Sequence, residues 1–186
     1  MTTWFTSDWH AYDDRYNCLG RGFKNSRDML TTIISNFIGC VEADDTVIHL
    51  GDMCGPQSSD VHFMKDLPGN HILIKGNYDK ASDDYYLKYF KAVYSNHLLQ
   101  LPWSDTGPSQ VYLTHEPVNG SKSYFNLVGH VHAAWRVQRN MINVGVDVWH
   151  FMPVSLERIL QTYSLIHKIY DRNIFAGELD VNEKQI

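Results

Sequence analysis

The sequence predicts a single α/β domain over residues 1–186, with a mainly parallel sheet in its first half and a sheet richer in antiparallel pairs in its second. Three observations lead there. Strand-like and helix-like segments alternate up to about residue 76. Strand-like segments joined by tight connections then follow near 97–101, 110–114, 124–128, 134–138 and 141–146. The chain length, with 44% hydrophobic and 20% charged residues, supplies one real core and leaves little room for a second.

Each element has its own signal. Trp4-Phe5-Thr6-Ser7 is a short apolar run ending at an acidic residue, which reads as a buried strand. Residues 11–25 are polar and contain Gly20 and Gly22, which suggests a long loop. Ser26 stands where an N-cap is expected; Met29, Leu30, Ile33, Ile34, Phe37 and Ile38 follow at helical spacing, and Gly39 closes the helix. Thr46–Leu50 is a second strand halted by Gly51-Asp52, a short helix is expected from Asp60 to Leu67, and Ile72–Lys75 is a third strand halted by Gly76-Asn77. A last amphipathic helix begins near Ser155 and runs through Leu156, Ile159, Leu160, Tyr163 and Ile166. The tail from about 171 is polar.

Composition narrows the function. A formal net charge of −5 argues against a protein that coats nucleic acid, so no stable nucleic-acid partner is expected. Cys18, Cys40 and Cys54 are scattered and form no CxxC, against both a disulfide framework and a thiolate zinc site. The first residues lack a signal peptide's basic and apolar regions, and no apolar run could span a bilayer. A reducing cytoplasm is the expected location, the host's for a phage-encoded chain.

The chemistry-bearing residues sit where strands stop. Asp8 and His10 follow the first strand, Asp52 the second, Asn77 the third, His115 the strand at Val111–Thr114, and His130 and His132 the strand at Phe125–Val128. In α/β sheets ligands gather beyond the carboxyl ends of strands. Seven oxygen and nitrogen donors there could converge on one crevice, and carboxylate with imidazole suits manganese, iron, nickel or zinc. Asp52 is the candidate to bridge two ions, and Asn77 adds a neutral ligand that leaves positive charge for a phosphate. In Asp8-Trp9-His10 and His130-Val131-His132 the donors are two residues apart, on one side of an extended chain or, in a tight loop, aimed at two different ions. A lone histidine is more often structural. His49 is expected to pack within its strand, and His62, His71 and His167 at the surface or core edge.

Asp8-x-His10, Gly51-Asp52, Gly76-Asn77-x-Asp79, His115 and Gly129-His-x-His132 resemble the motifs of the calcineurin-like metallophosphoesterase superfamily. Within it, Asp44–Asp52, Asn143–Trp149 and Pro153-Val154-Ser155 resemble a group of small stand-alone bacterial and phage enzymes. The resemblance covers roughly residues 2 to 160. It implies a four-layer α/β/β/α sandwich of two mixed sheets flanked by helices, with metals at one rim. It further implies one ion on Asp8, His10, Asp52 and His132, and a second on Asp52, Asn77, His115 and His130. Manganese is the expected metal, with nickel, iron or zinc as alternatives. Many members carry histidine inside the third motif as general acid; here that position is Tyr78. A phenol with a pKa of about 10 is a poor acid at neutral pH, so Tyr78 either lines the pocket or takes a catalytic part.

These readings combine into a mechanism in which two ions about 4 Å apart hold a bridging hydroxide that attacks phosphorus in line. Arg21, and more weakly Asn17, are candidate phosphate contacts, and Asp147 either receives a hydrogen bond from a ligand histidine or caps a turn. A small phosphorylated or nucleotide-type substrate is expected, with a phosphodiester preferred over a monoester. A metal-dependent nuclease and a weakly catalytic binding scaffold are the competing functions.

Overall fold

In chain order the elements of the computed structural model are β1 (Thr3–Thr6), α1 (Ser26–Ile38), β2 (Thr46–His49), β3 (Asn70–Ile74), α2 (Asp83–Tyr86), β4 (Ala92–Tyr94), β5 (Asn96–Gln100), β6 (Gln110–Thr114), β7 (Phe125–Val128), β8 (Val137–Gln138), β9 (Met141–Asn143), β10 (Val154–Ser155) and α3 (Leu156–Lys168). The structure describes residues 1–15, 19–102 and 107–170. They form two mixed five-stranded sheets with helices, in the order β10-β1-β2-β3-β4 and β5-β6-β7-β9-β8. This is the mixed α/β sandwich that the sequence predicts.

Side-chain alternation builds the layers. Along β2 and β3, Val47 and Leu73 face one cluster while Ile48 and Ile74 face another. The first cluster takes Met29, Leu30, Ile33 and Phe37 from α1, which covers the outer face of the first sheet. The second lies between the sheets, where Phe5, Ile48 and Ile74 meet Val111, Leu113, Phe125, Leu127 and Ile142. Helix α3 adds Ile159 and Ile166 to this inter-sheet cluster, close to β10 and β1.

The second sheet is the richer in antiparallel pairs, as expected: β5–β6 and β8–β9 there, against β1–β10 alone in the first, while β6, β7 and β9 run parallel to one another at its centre. The return between β6 and β7 spans residues 115–124 and holds a 3-10 turn at Pro117–Asn119. Three details differ from expectation. The cap of α1 is Asn25, whose side chain accepts from the Asp28 amide, and Ser26 is the first helical residue; Asn and Ser cap equally well. The expected helix near 60–67 is a 3-10 segment, His62–Asp66. His71, expected at the surface or core edge, is buried, 3.0 Å from the ring of His49.

The topology positions the site. β1, β2 and β3 run parallel, and so do β6 and β7, so five carboxyl ends open toward one rim. A parallel bridge between Ser7 and Gly145, with the Val146 amide donating to the Ser7 carbonyl at 3.1 Å, ties the chain just past β1 to the segment just past β9.

Candidate metal centre

Past the strand ends the chain turns sharply. The amides of Asp8 and His10 donate to the carbonyls of Gly51 and Asp52, each at 3.0 Å, so the loops after β1 and β2 run side by side. Five of the seven predicted ligands hold left-handed backbone: Asp8 (φ 60°), His10 (50°), Asp52 (53°), His130 (72°) and His132 (48°). Such a residue costs on the order of 1–3 kcal/mol unless its surroundings fix it, and such residues concentrate at functional sites. Close glycine contacts hold the loops tight. A β-carbon on Gly129 would overlap Ser7 Oγ and stand 2.8 Å from Asp8 Oδ2, and one on Gly76 would overlap Asp52 Oδ1.

The structure brings the seven side chains together in two groups. Asp8, His10 and His132 each offer one ligand atom within 4.8 Å of the others, and so do Asp52, His115 and His130. Asn77 joins the second group, with its Oδ1 3.2 Å from His115 Nε2 and 3.0 Å from His130 Nδ1. Asp52 Oδ2 faces both groups, 3.7 Å from His10 Nε2 and 3.3 Å from His115 Nε2. The two closely spaced pairs behave differently: Asp8 and His10 share a group, while His130 and His132 divide between the two.

The neighbours orient the rings. His10 Nδ1 lies 3.2 Å from Asp13 Oδ2, His132 Nδ1 lies 3.3 Å from Asp147 Oδ2, and His115 Nδ1 lies 2.5 Å from the Leu50 carbonyl. A proton on each Nδ1 leaves each Nε2 with its lone pair, as a ligand requires. His10 Nε2 is buried without a hydrogen-bond partner, between Asp8 Oδ1 at 3.9 Å and Asp52 Oδ2 at 3.7 Å. An orphaned ring nitrogen flanked by carboxylates is satisfied by a cation, and this donor set of imidazoles, carboxylates and one amide fits a divalent ion.

The two buried histidines next to Asp52 shift in opposite directions. Burial lowers His10 to about 4 against the pull of Asp8 and Asp52, so its ring stays neutral. Burial opposes charge on His115 as well, but there Asp52, Asp8 and the Leu50 carbonyl together outweigh it and raise the ring to about 9. Burial would raise Asp52, yet His115, the Tyr78 amide and His10 hold it below the usual carboxylate range. Asp79 is pushed up by burial and by Asp52, although the amides of Gly76, Asp52 and Met53 bind its carboxylate at 2.8, 2.8 and 3.2 Å. It thereby ties the loops after β2 and β3 together.

Arg21 is not at the open rim. Its side chain is 1% exposed; it donates to both oxygens of Asp147 at 2.8 and 2.7 Å and to the Asp8 carbonyl at 2.6 Å. These bonds occupy the guanidinium of this candidate phosphate contact within the protein, where it fixes Asp147 and through it His132. Asp147 accordingly does receive the His132 hydrogen bond, and against burial His132 and then the Arg21 guanidinium hold its carboxyl well below the ordinary range. Asn17 lies outside the described residues. Tyr78 packs its ring edge-on to His10 at 5.5 Å, and its amide donates to Asp52 Oδ1 at 2.8 Å. Asp13 and Arg15 escaped the sequence reading. The i, i+3 step from His10 to Asp13 was the available signal, hidden in a loop without periodicity.

Comparisons with known proteins agree with the fold and the motifs. The family model for calcineurin-like phosphoesterases matches residues 1–167. The Gene 66 protein of Mycobacterium phage L5 is 27% identical over 203 residues, covering 91% of this chain and 96% of that protein. A crystal structure of a protein of unknown function from Aquifex aeolicus matches with a TM-score of 0.67 at 21% identity, covering 87% of this chain and 98% of that one, which speaks to the fold alone.

Proposed function

Since the chain belongs to the calcineurin-like phosphoesterase family, and family and donor groups together support metal-dependent phosphoester hydrolysis, we propose that it is a two-metal phosphodiesterase acting on a nucleotide or cyclic nucleotide. Asp8, His10, Asp52 and His132 would hold one ion, and Asp52, Asn77, His115 and His130 the other. When bound, a divalent pair supplies Lewis acidity and lowers the pKa of water toward neutrality. Manganese is the expected ion, and nickel, iron and zinc suit the same donors. The observation that carries the reading is the Asp52 carboxylate, whose Oδ2 faces His10 Nε2 at 3.7 Å and His115 Nε2 at 3.3 Å, one in each group.

The remaining residues orient and position. Asp13, Asp147 and the Leu50 carbonyl fix three imidazoles so that each ring offers its lone pair inward. The His130 amide donates to both oxygens of Asp8, at 3.1 and 3.0 Å, and holds that carboxylate toward its group. His130 is exposed and His132 one-third exposed, so a phosphate reaches the site from the side of these two rings. The diester preference is supported by Tyr78, which stands where many members carry the general-acid histidine, as in small phosphodiesterases of this fold that also lack that histidine. Among the described residues no helix is long and apolar enough to cross a membrane.

The test is Asp52→Asn. Hydrolysis of bis-p-nitrophenyl phosphate, assayed across manganese, nickel and zinc, should vanish, and bound metal should fall from two ions per chain while circular dichroism stays unchanged. Full activity in the variant, or in wild-type protein stripped of metal, would refute the mechanism. Preference for p-nitrophenyl phosphate over the diester would refute the substrate class.

A further inference from the structure

A cavity at the edge of the first sheet, where β10 runs into α3, shares none of its lining with the seven donors. It holds about 330 Å³, inside the range of about 300–1,000 Å³ usual for small-molecule sites. Trp4 and Trp149 line it, together with Arg136 and Arg158, and none of the lining residues is acidic.

The two indoles spend their N–H groups inside the protein. Trp4 Nε1 donates to Asp45 Oδ2 at 2.9 Å, and Trp149 Nε1 to the Asn143 carbonyl at 2.8 Å. They bring ring surface to the cavity, not donors. The guanidinium groups are the reverse. Arg136 lies over Trp149, its guanidinium carbon 4.6 Å from the ring centroid, and donates through Nη2 to the Val148 carbonyl. Arg158 donates through Nη1 to Gln161 Oε1 at 3.3 Å. A guanidinium carries five N–H donors, so both groups keep several to offer. Among the described residues neither is paired with a carboxylate, in a chain whose formal net charge is −5. Ser155 adds to the positive field: its Oγ caps α3, accepting from the Arg158 amide at 3.2 Å, so the positive end of a 13-residue helix meets the same wall. The acidic residue of that first turn, Glu157, is outside the lining and accepts from Gln161 Nε2 at 3.2 Å.

These features ask for two things in one ligand. A bare phosphate would answer the arginines and leave the indole surface in water, and a neutral aromatic ring would do the opposite. Nucleobases stack on indoles and on guanidinium planes, and a phosphate monoester accepts paired N–H bonds from arginine. We propose that this cavity is a second binding site, for a nucleoside monophosphate, with the base against Trp4 and the Arg136 guanidinium and the phosphate on Arg158 and Arg136. No bond is made or broken there, and the proposal does not depend on the phosphodiesterase reading.

Cys40 lines the same cavity and reports on it. In manganese-loaded protein, adenosine 5′-monophosphate should slow alkylation of Cys40 by N-ethylmaleimide, followed by peptide mass. Adenosine and ribose 5-phosphate, each with half of the match, should need about tenfold or more higher concentration for the same protection. Arg158→Ala should raise the protecting concentration about tenfold and Arg158→Glu about a hundredfold, with hydrolysis of bis-p-nitrophenyl phosphate unchanged. Asp52→Asn should leave protection intact, since the metal centre takes no part. A crystal soaked in the nucleotide should show its phosphate between Arg136 and Arg158. Protection equal with ribose 5-phosphate or adenosine, protection indifferent to Arg158→Glu or lost in Asp52→Asn, or a cavity still empty after a millimolar soak would each overturn the proposal.

Discussion

The two halves of the centre are held by different means. In the first, His10 and His132 lean on the side chains of Asp13 and Asp147, and each of these carboxylates is paired with an arginine, Arg15 and Arg21. In the second, His115 leans on the main-chain carbonyl of Leu50, and His130 on the Asn77 amide that belongs to its own group. In the second half the support of His115 is main-chain and comes with the fold and that of His130 comes from within its own group, whereas the support of the first half is written into four separate residues. The first half is therefore the more adjustable by mutation, and the same residues that orient its histidines reach outward to Tyr78 and inward to the loop after β1.

The comparison can be broken most severely at Asp147. Asp147→Ala strands the Arg21 guanidinium, 1% exposed, without its carboxylate. Removing one partner of a buried ion pair costs about 3–5 kcal/mol, so chemical denaturation should show a loss of that order. The double variant Arg21→Met/Asp147→Ala should recover part of it. Next in size is Asp13→Asn. Loss of a partner that orients a ligand histidine typically weakens metal binding by about 10–100-fold. Stepwise titration with manganese should show this loss for one of two binding events and leave the other nearly unchanged; equal weakening of both would erase the contrast between the halves.

The smallest expected effect lies outside the centre. His49 and His71 are buried, 3.0 Å apart, beneath Phe37 and Phe90. Burial lowers both below the ordinary imidazole value of 6.5 and holds them neutral. The unfolded chain takes up protons below 6.5 that the folded chain refuses there. Stability contributed by the neutral pair is thus complete above 6.5 and lost as pH falls below it. Denaturation midpoints measured from pH 8 to 5 should fall in wild type, and fall less steeply in the double variant His49→Leu/His71→Leu. Parallel pH profiles would contradict the assignment.

Much of the centre was legible because each donor sits at a strand end inside a short motif, and a strand end fixes position without any knowledge of distance. All seven named side chains converge for that reason. What escaped depends on contacts between remote segments. Arg21 and Asp147 are 126 residues apart, so nothing in the order of residues separates a buried partner of a carboxylate from a cation facing a phosphate. Asp13 and Arg15 lie in a polar loop with no periodicity to rank them. The parallel course of β6, β7 and β9 within that sheet was hidden because spacing alone does not say in which direction a strand returns. α2 and β4 were missed as well; they are four and three residues long, too short for a period to show.

The most direct measurement is anomalous diffraction from a crystal soaked in manganese. Two peaks are expected, one ringed by Asp8, His10 and His132 and one by Asn77, His115 and His130, with Asp52 touching both. A single peak away from Asp52, or no peak with His10 Nε2 bonded to a protein group instead, would contradict the paired-ion centre.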